Sequence, residues 1–497
     1  MKRTFTLLTL ALLILGNLNT AFAQTWDWAN QIAGSENIEV RDLTLDASGN
    51  ILVYGYFTGN ITIGVNSFTN FGASNTRDIY LAKYSSDGTL LWARQYGSDS
   101  NEDPFGIVTD ESDNIFITGG FRNTASFDTE EITSLGGQDV FLAKISSSGT
   151  VDWARSVARG TAGNRGYDID YYDGYLYITA IVKGTAELGG ATEPGGVVQI
   201  TQTGGNYNSF AAKFDTTGDF YWVTHFPCNN NTLLEAISVD EVGYLYVGGA
   251  LIGTMTANST DYTSTGSGDI IILQLNTSDG TVEWVRKGGG IGDDQLRSIK
   301  AIDNNIYAIG YVRGTGTIDS TATSQSSPYT AAGTDIIAVR YNAEGNLIWK
   351  TVIGNSSQNS GYGIQIYENI VVCSGYFSNS VTFNESTITS GGGYDAGFFV
   401  FDLEGNPVTA GSLSGDLEDR GQGVIYDGLG NTYISGYFAS TELKYGDPGS
   451  LVSFDPPLSN TSSPNKYGFL AKYKNPFSVV FSKKKNITCN GGSNGEL

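Results

Sequence analysis

Short apolar runs bounded by turn residues recur along the whole chain, and they predict strands. One run reads Asn-Ile-Leu-Val-Tyr-Gly-Tyr at 50–56 and returns at 114–120, 174–179, 243–249, 305–311, 369–376 and 431–437. Ile115 and Ile117 alternate with Phe116 and Thr118, and Tyr175 and Tyr177 alternate with Leu176 and Ile178. Successive side chains in a strand point to opposite faces, so both faces of these strands are apolar. A sheet with one wet face should alternate polar and apolar residues. A sheet stacked between two similar sheets should not, and that is the situation of a propeller blade.

Each copy has a second half. Asp-Ile-Tyr-Leu-Ala-Lys-Tyr at 78–84 is followed by Ser-Ser-Asp-Gly and then by Thr-Leu-Leu-Trp-Ala-Arg at 89–94. A Gly-containing connection between two apolar runs is a hairpin signal. Trp92, Trp153, Trp222, Trp284 and Trp349 mark the fourth strand of successive copies. A further strand, such as 105–110 or 234–240, precedes the first half. The link between the second and third strands is long and rich in Ser, Thr and Gly. A fixed period of this kind means a repeat architecture in which each unit buries its core against its neighbours.

The chain ends are out of phase with the repeat. Residues 25–32 match a fourth strand alone, with Trp28 in the Trp position, while the last copy supplies only its first three strands. A ring gains from that arrangement because it removes an exposed edge. The expected fold is therefore all-β: a seven-bladed β-propeller over 24–475, with four-stranded blades, closed by the N-terminal strand. Phe477–Phe481 competes for the closing position. The N-terminal strand is favoured because it carries the Trp and has no other partner.

Outside the repeats, residues 1–23 read as a signal peptide. Lys2 and Arg3 precede an apolar run at 7–15 and an Ala21-Phe22-Ala23 cleavage pattern, and the run is too short to span a bilayer. Export is expected, with no direct membrane insertion. The chain has 28 basic and 51 acidic residues. Removing Lys2 and Arg3 leaves 26 against 51, a net charge of −25. Such acidity argues against nucleic acid as a partner. Three cysteines, Cys228, Cys373 and Cys489, are too few for a disulfide framework.

The passages Gly-Asn-Ile-Leu-Val-Tyr-Gly, Asp-Val-Phe-Leu-Ala-Lys and Gly-Thr-Leu-Leu-Trp-Ala resemble the SBBP-type β-propeller repeat of exported bacterial proteins. The sixth unit departs from it, with Val408-Thr409 where Trp is expected. The tail from Asn486 to Leu497 resembles the opening of an SprB-type repeat, found in large adhesins of gliding bacteria of Bacteroidota type. Residues 476–497 are thus read as a linker and a truncated repeat. The resemblance implies a cell-surface location and places outer-membrane secretion machinery of the type IX route among the partners.

Candidate chemistry is sparse. With His225 as the single histidine, a Ser-His-Asp triad or a His-rich metal site has little to work with. Paired carboxylates can serve a glycosidase without histidine. Glu102 and Asp103, Asp293 and Asp294, and Glu418 and Asp419 follow the Trp strand at one repeat phase. They are candidates for a ligand or cation rim, though their recurrence favours solvated loop charges, since a scaffold repeats what its own geometry needs. Oxygen-rich loops suit Ca²⁺, yet no Asp-x-Asn-x-Asp-Gly loop with its distal Glu is present, and no metal site or cofactor is assigned. The Trp series, Trp28 included, reads as packing between units. Lys83, Lys144, Lys213 and Lys472, with Arg340, read as strand-end residues covering aromatic surface.

The expected function is an exported, non-catalytic binding or adhesion scaffold for a surface glycan or protein ligand. The most variable loops, at 58–77, 122–138, 186–207 and 312–334, are where function is normally grafted. A secreted carbohydrate-active enzyme and a rigid spacer for downstream adhesin repeats are the alternatives.

Overall fold

The structure, a computed structural model, describes residues 25–319, 326–367, 369–384, 386–446 and 451–474. Every regular element among them is a strand. The predicted signal peptide, Phe477–Phe481, Cys489 and the tail lie outside the described residues.

One antiparallel order recurs. Ile38–Leu45, Ile51–Phe57, Asp78–Tyr84 and Leu90–Tyr96 form one four-stranded sheet, and Arg165–Tyr172, Tyr175–Val182, Asn208–Asp215 and Phe220–Phe226 form another. Elsewhere the same order sits inside sheets of six or eight strands. The extra strands come from the long second-to-third connections, which fold into hairpins and pair with the fourth strand of the unit before. Thr185–Leu188 pairs with Val151–Gly160 in this way, Asn60–Ile63 with Thr25–Gly34, and Glu442–Tyr445 with Pro407–Ser414. A uniform four-strand count therefore fails because the connections themselves supply strands. No sheet closes on itself among the described residues.

Thr25–Gly34 pairs with Tyr467–Lys474, with Trp28 opposite Lys472 and Ile32 opposite Gly468. The N-terminal strand thus lies in register beside Asp419–Tyr426, Asn431–Phe438 and Tyr467–Lys474. First strands of successive units lie side by side, and Ile38–Leu45 lies against both Asp103–Thr109 and Asp419–Tyr426.

The apolar clusters sit between units, as two-faced strands require. Phe116 and Leu142 pack with Ile178 and Phe214, and Ile32 and Leu470 pack with Ile51 and Val53. Burying a side chain of this size stabilises by about 1.5–3 kcal/mol. Cys228 and Cys373 are free and buried in these layers.

The tryptophans fasten each unit to the next. Trp92, Trp153, Trp222, Trp284 and Trp349 donate Nε1–H to the carbonyls of Ser147, Thr216, Thr277, Ala343 and Leu403 at 2.9–3.3 Å. Each carbonyl lies in the turn between the third and fourth strands of the following unit. The turns need glycine. Gly88, Gly149, Gly218, Gly280 and Gly405 have φ of 74–88°, and a Cβ there would lie 2.5–3.1 Å from the tryptophan of the unit before. Lys83, Lys213 and Lys472 reach the same turns, donating to Ser147, Thr277 and Ser86. Arg340 does so at Leu403, whereas Lys144 sits over the Phe116 ring.

The missing tryptophan of the sixth unit has a physical reason. The seventh unit's third and fourth strands belong to opposite ends of the chain and are not joined by a turn. Thr409 stands opposite Val400 in the Trp register. Trp26 packs instead at this joint, against Phe398, Phe454 and Tyr473 at 5.4–6.0 Å between ring centroids.

Candidate functional site

All the first strands line one cavity of about 420 Å³. Each carries an irregularity in pairing at one place. The register breaks between Val40 and Asp42, Pro104 and Gly106, Gly166 and Asp168, Leu234 and Ala236, Leu296 and Ser298, Gly361 and Gly363, and Gly421 and Val424. A β-bulge adds a residue to one strand and re-aims side chains locally. The residues it presents to the cavity are Arg41, Phe105, Tyr167, Glu235, Arg297, Tyr362 and Gln422. Small residues beside the bulge let neighbouring strands approach. A Cβ at Gly106 would lie 2.9 Å from Asp168 Cα, and one at Gly363 would lie 2.8 Å from the Gln422 carbonyl oxygen.

Ring contacts link the bulge residues around part of the cavity. Phe105 and Tyr167 lie 4.8 Å apart between centroids. Arg41 lies 5.5 Å from the Phe105 ring and Arg297 5.6 Å from the Tyr362 ring. Arg41 pairs with Glu39 at 3.3 Å and Arg297 with Glu235 at 2.5 Å. The Nε atoms of Arg41 and Arg297 are buried without an acceptor. The Arg165 side chain makes no hydrogen bond or ion pair among the described residues.

The carboxyl groups of the wall face into the backbone. Asp42 accepts N–H bonds from Leu43 and Ile107 at 2.8 and 3.1 Å, and Asp168 accepts them from Ile169 and Ile237 at 2.8 and 2.9 Å. Both line the cavity and are half-buried, with their oxygens turned to backbone amides, so water solvates them poorly. Burial pushes the Asp42 carboxyl up to about 7 and Asp168 well above the ordinary range. Each braces the exposed amide of the following unit's bulge, which is a structural task.

The predicted acid pairs do not share one phase. Strand register sets Asp103 level with Gln295 and Arg420, which face Gly120, Tyr311 and Tyr437. Glu102, Asp294 and Asp419 therefore occupy one slot, and all three are fully buried. Glu102 accepts from the Ser98 amide and hydroxyl at 3.0 and 2.6 Å. Asp294 accepts from Gly290 N–H, Arg313 N–H and Tyr329 Oη–H at 2.8 Å each, and Asp419 from the Ser440 hydroxyl at 2.8 Å. Burial raises all three carboxyls, Glu102 to about 8. Glu102 and Asp294 hold the loop that leads into their first strand, whereas Asp419 holds the segment that follows the second strand. Their sequence neighbours differ from one another: Asp103 pairs with Arg77 at 2.7 Å, Asp293 is exposed beside Tyr311, and Glu418 bonds Tyr437 and Arg420. None of the six residues lines the cavity.

His225 lies half-buried in Phe220–Phe226, opposite Phe210, and burial lowers its imidazole to about 4. Among the described residues no group of three or more His, Cys, Asp or Glu is placed to hold a metal ion, and no helix is long and apolar enough to cross a membrane. Parts of the variable loops are spent on hairpins such as Thr124–Phe127 with Glu130–Thr133. The bulge positions were missed at the sequence level, although a signal was there. Between a recurring start and a recurring Leu, Ile or Val, one position reads Arg, Phe, Tyr, Glu, Arg, Tyr and Gln in successive copies.

Antiparallel ladders whose first strands gather around one cavity make this a β-propeller-like fold. No protein-family profile matches the chain. An uncharacterized WD repeat-containing protein of Acanthamoeba polyphaga mimivirus is 23% identical over 535 residues, covering 92% of this chain and 34% of its own length. The chain thus spans about a third of that relative. Among solved structures, the Pan2 WD40 domain of Neurospora crassa is 12% identical, with a TM-score of 0.35, over 76% of this chain and 90% of its own. Quinohemoprotein alcohol dehydrogenase from Comamonas testosteroni is 8% identical, with a TM-score of 0.42, over 90% and 76%.

Proposed function

We propose that this chain is an exported, seven-bladed β-propeller shut by its N-terminal strand, serving as a non-catalytic binding scaffold at the cell surface or in the medium. The ligand, a surface glycan or a protein, sits on the bulge residues of the central cavity. One observation carries the reading. The joints between units repeat the same Trp and Gly, while the cavity-facing bulge residue changes from each unit to the next. A scaffold repeats what its packing needs, and function is grafted where packing leaves freedom.

The pairing of Thr25–Gly34 with Tyr467–Lys474 supports the ring. The basic and apolar segment at 1–23 supports export, and the likeness to SBBP-type and SprB-type repeats supports a place among surface adhesins. The mature chain should be tested on a glycan array and in a cell-surface pull-down. Binding that is lost in Tyr167→Ala and Tyr362→Ala, with the melting temperature kept, supports the reading. Empty results from both assays leave the rigid spacer. Polysaccharide turnover that disappears on Asp293→Asn or Glu418→Gln replaces the reading with a carboxylate enzyme.

A further inference from the structure

We infer that the cavity binds an acidic sugar, with the carboxylate of a hexuronate residue held by Arg165 and its ring set against Phe105, Tyr167 and Tyr362. This rests on the binding-scaffold reading and narrows its ligand. The protein carries a net charge of −23, yet Arg41, Arg165, Arg297 and Lys300 all line its cavity.

The acids of the same wall are already occupied. Asp42 and Asp168 spend both oxygens on backbone amides. Asp170 accepts from Tyr171 N–H and Val239 N–H at 3.0 and 2.9 Å. Glu235 holds Arg297 and the Gln295 amide, the latter at 2.8 Å. Burial raises Asp42 and Asp168 toward the neutral form, which lowers the negative charge of the wall further.

The lining therefore keeps unmatched donors, beside one unmatched acceptor, Gln422 Oε1. The half-buried Arg165 has no hydrogen bond or ion pair to its guanidinium among the described residues, and Arg41 and Arg297 each keep a buried Nε–H unmatched. A guanidinium presents planar, paired donors that match a carboxylate. Tyr167 follows Arg165 by two residues on the same strand, and the Phe105 ring lies 4.8 Å away from Tyr167. Aromatic rings with apolar faces suit the C–H face of a sugar. The volume of about 420 Å³ falls within the ~300–1,000 Å³ of small-ligand sites.

Titration calorimetry of the full mature chain tests this with a galacturonate trimer, the neutral galactose trimer and citrate. The galacturonate trimer should bind at least tenfold more tightly than either, and more weakly as NaCl is raised. Arg165→Gln should weaken it at least tenfold and leave the melting temperature nearly unchanged, because no hydrogen bond or ion pair of the fold goes with the guanidinium. Equal affinity for both trimers, or indifference to Arg165→Gln, overturns the acidic-sugar inference and leaves the scaffold reading standing. Equal binding of citrate overturns the sugar half of it. No binding of any probe overturns the inference outright, and the scaffold reading falls with it only if the pull-down is also empty.

Discussion

The joints between units and the lining of the cavity follow opposite rules. At the joints, tryptophan, a turn carbonyl and a left-handed glycine recur from unit to unit, and the departures are local. Gly345 meets Arg286 in place of the ring, and the sixth unit has Thr409 in the Trp register. In the lining, no unit repeats the bulge residue of its neighbour. Packing against an identical partner leaves no freedom at the joint, because a void or a clash there is felt at once. A side chain re-aimed by a bulge into a cavity has few fixed neighbours, so its identity is open. The contrast separates what holds this molecule together from what its packing leaves free.

The contrast can be broken at several points. Deleting Thr25–Ile32 should have the largest effect, since it strips Tyr467–Lys474 of its partner strand and uncovers Phe398 and Tyr473. Cooperative thermal unfolding followed by circular dichroism should be lost or shifted by tens of degrees, and an unchanged melt would refute the seam. Next, Trp222→Ala should cost about 3–5 kcal/mol in urea denaturation, because a largely buried indole and its bond to Thr277 go together. Gly405→Ala should cost about 1–3 kcal/mol, from a strained φ and a clash with Trp349.

A smaller, pH-dependent effect belongs to Glu102. Its carboxyl is held near 8 in the fold and near 4.5 when unfolded. The folded state therefore binds the extra proton between those values, so this group's contribution is complete below about 4.5 and is lost as pH rises through 8. The melting temperature should fall from pH 5 to pH 8, and the fall should be shallower in Glu102→Gln. Asp42 and Asp78, raised to about 7 and about 6, act in the same direction, so the difference between the two proteins is the quantity to read. Smallest of all, Tyr167→Ser and Tyr362→Ser should change stability by less than about 1 kcal/mol. A cost equal to that of Trp222→Ala would erase the distinction between joint and lining.

Much of the architecture was legible beforehand. The apolar strands came from runs such as 114–120, and the pairing of Trp28 with the last unit came from the mismatch of phase at the chain ends. The candidate site was not legible, and the bulges are the reason. One inserted residue breaks the two-residue alternation, so whether Arg41 or Tyr362 faces core or cavity cannot be read from spacing. The offset among the acid pairs was readable, since Glu102, Asp294 and Asp419 each stand three residues before the bulge position. A strand-like piece at Ala125–Asp128 pointed to the hairpins of the long connections, but not to their pairing with the neighbouring unit's fourth strand.

The seam between Thr25 and Lys474 also sets how this molecule meets tension. These two residues face each other in the first rung of an antiparallel pair, so a pull applied through them separates the strands as a zipper, one rung at a time. Bonds broken in sequence yield at far lower force than bonds sheared together. Strung within a longer polymer under load, this body would give way first at the strand that joins its two ends, and it could re-form when the load is released.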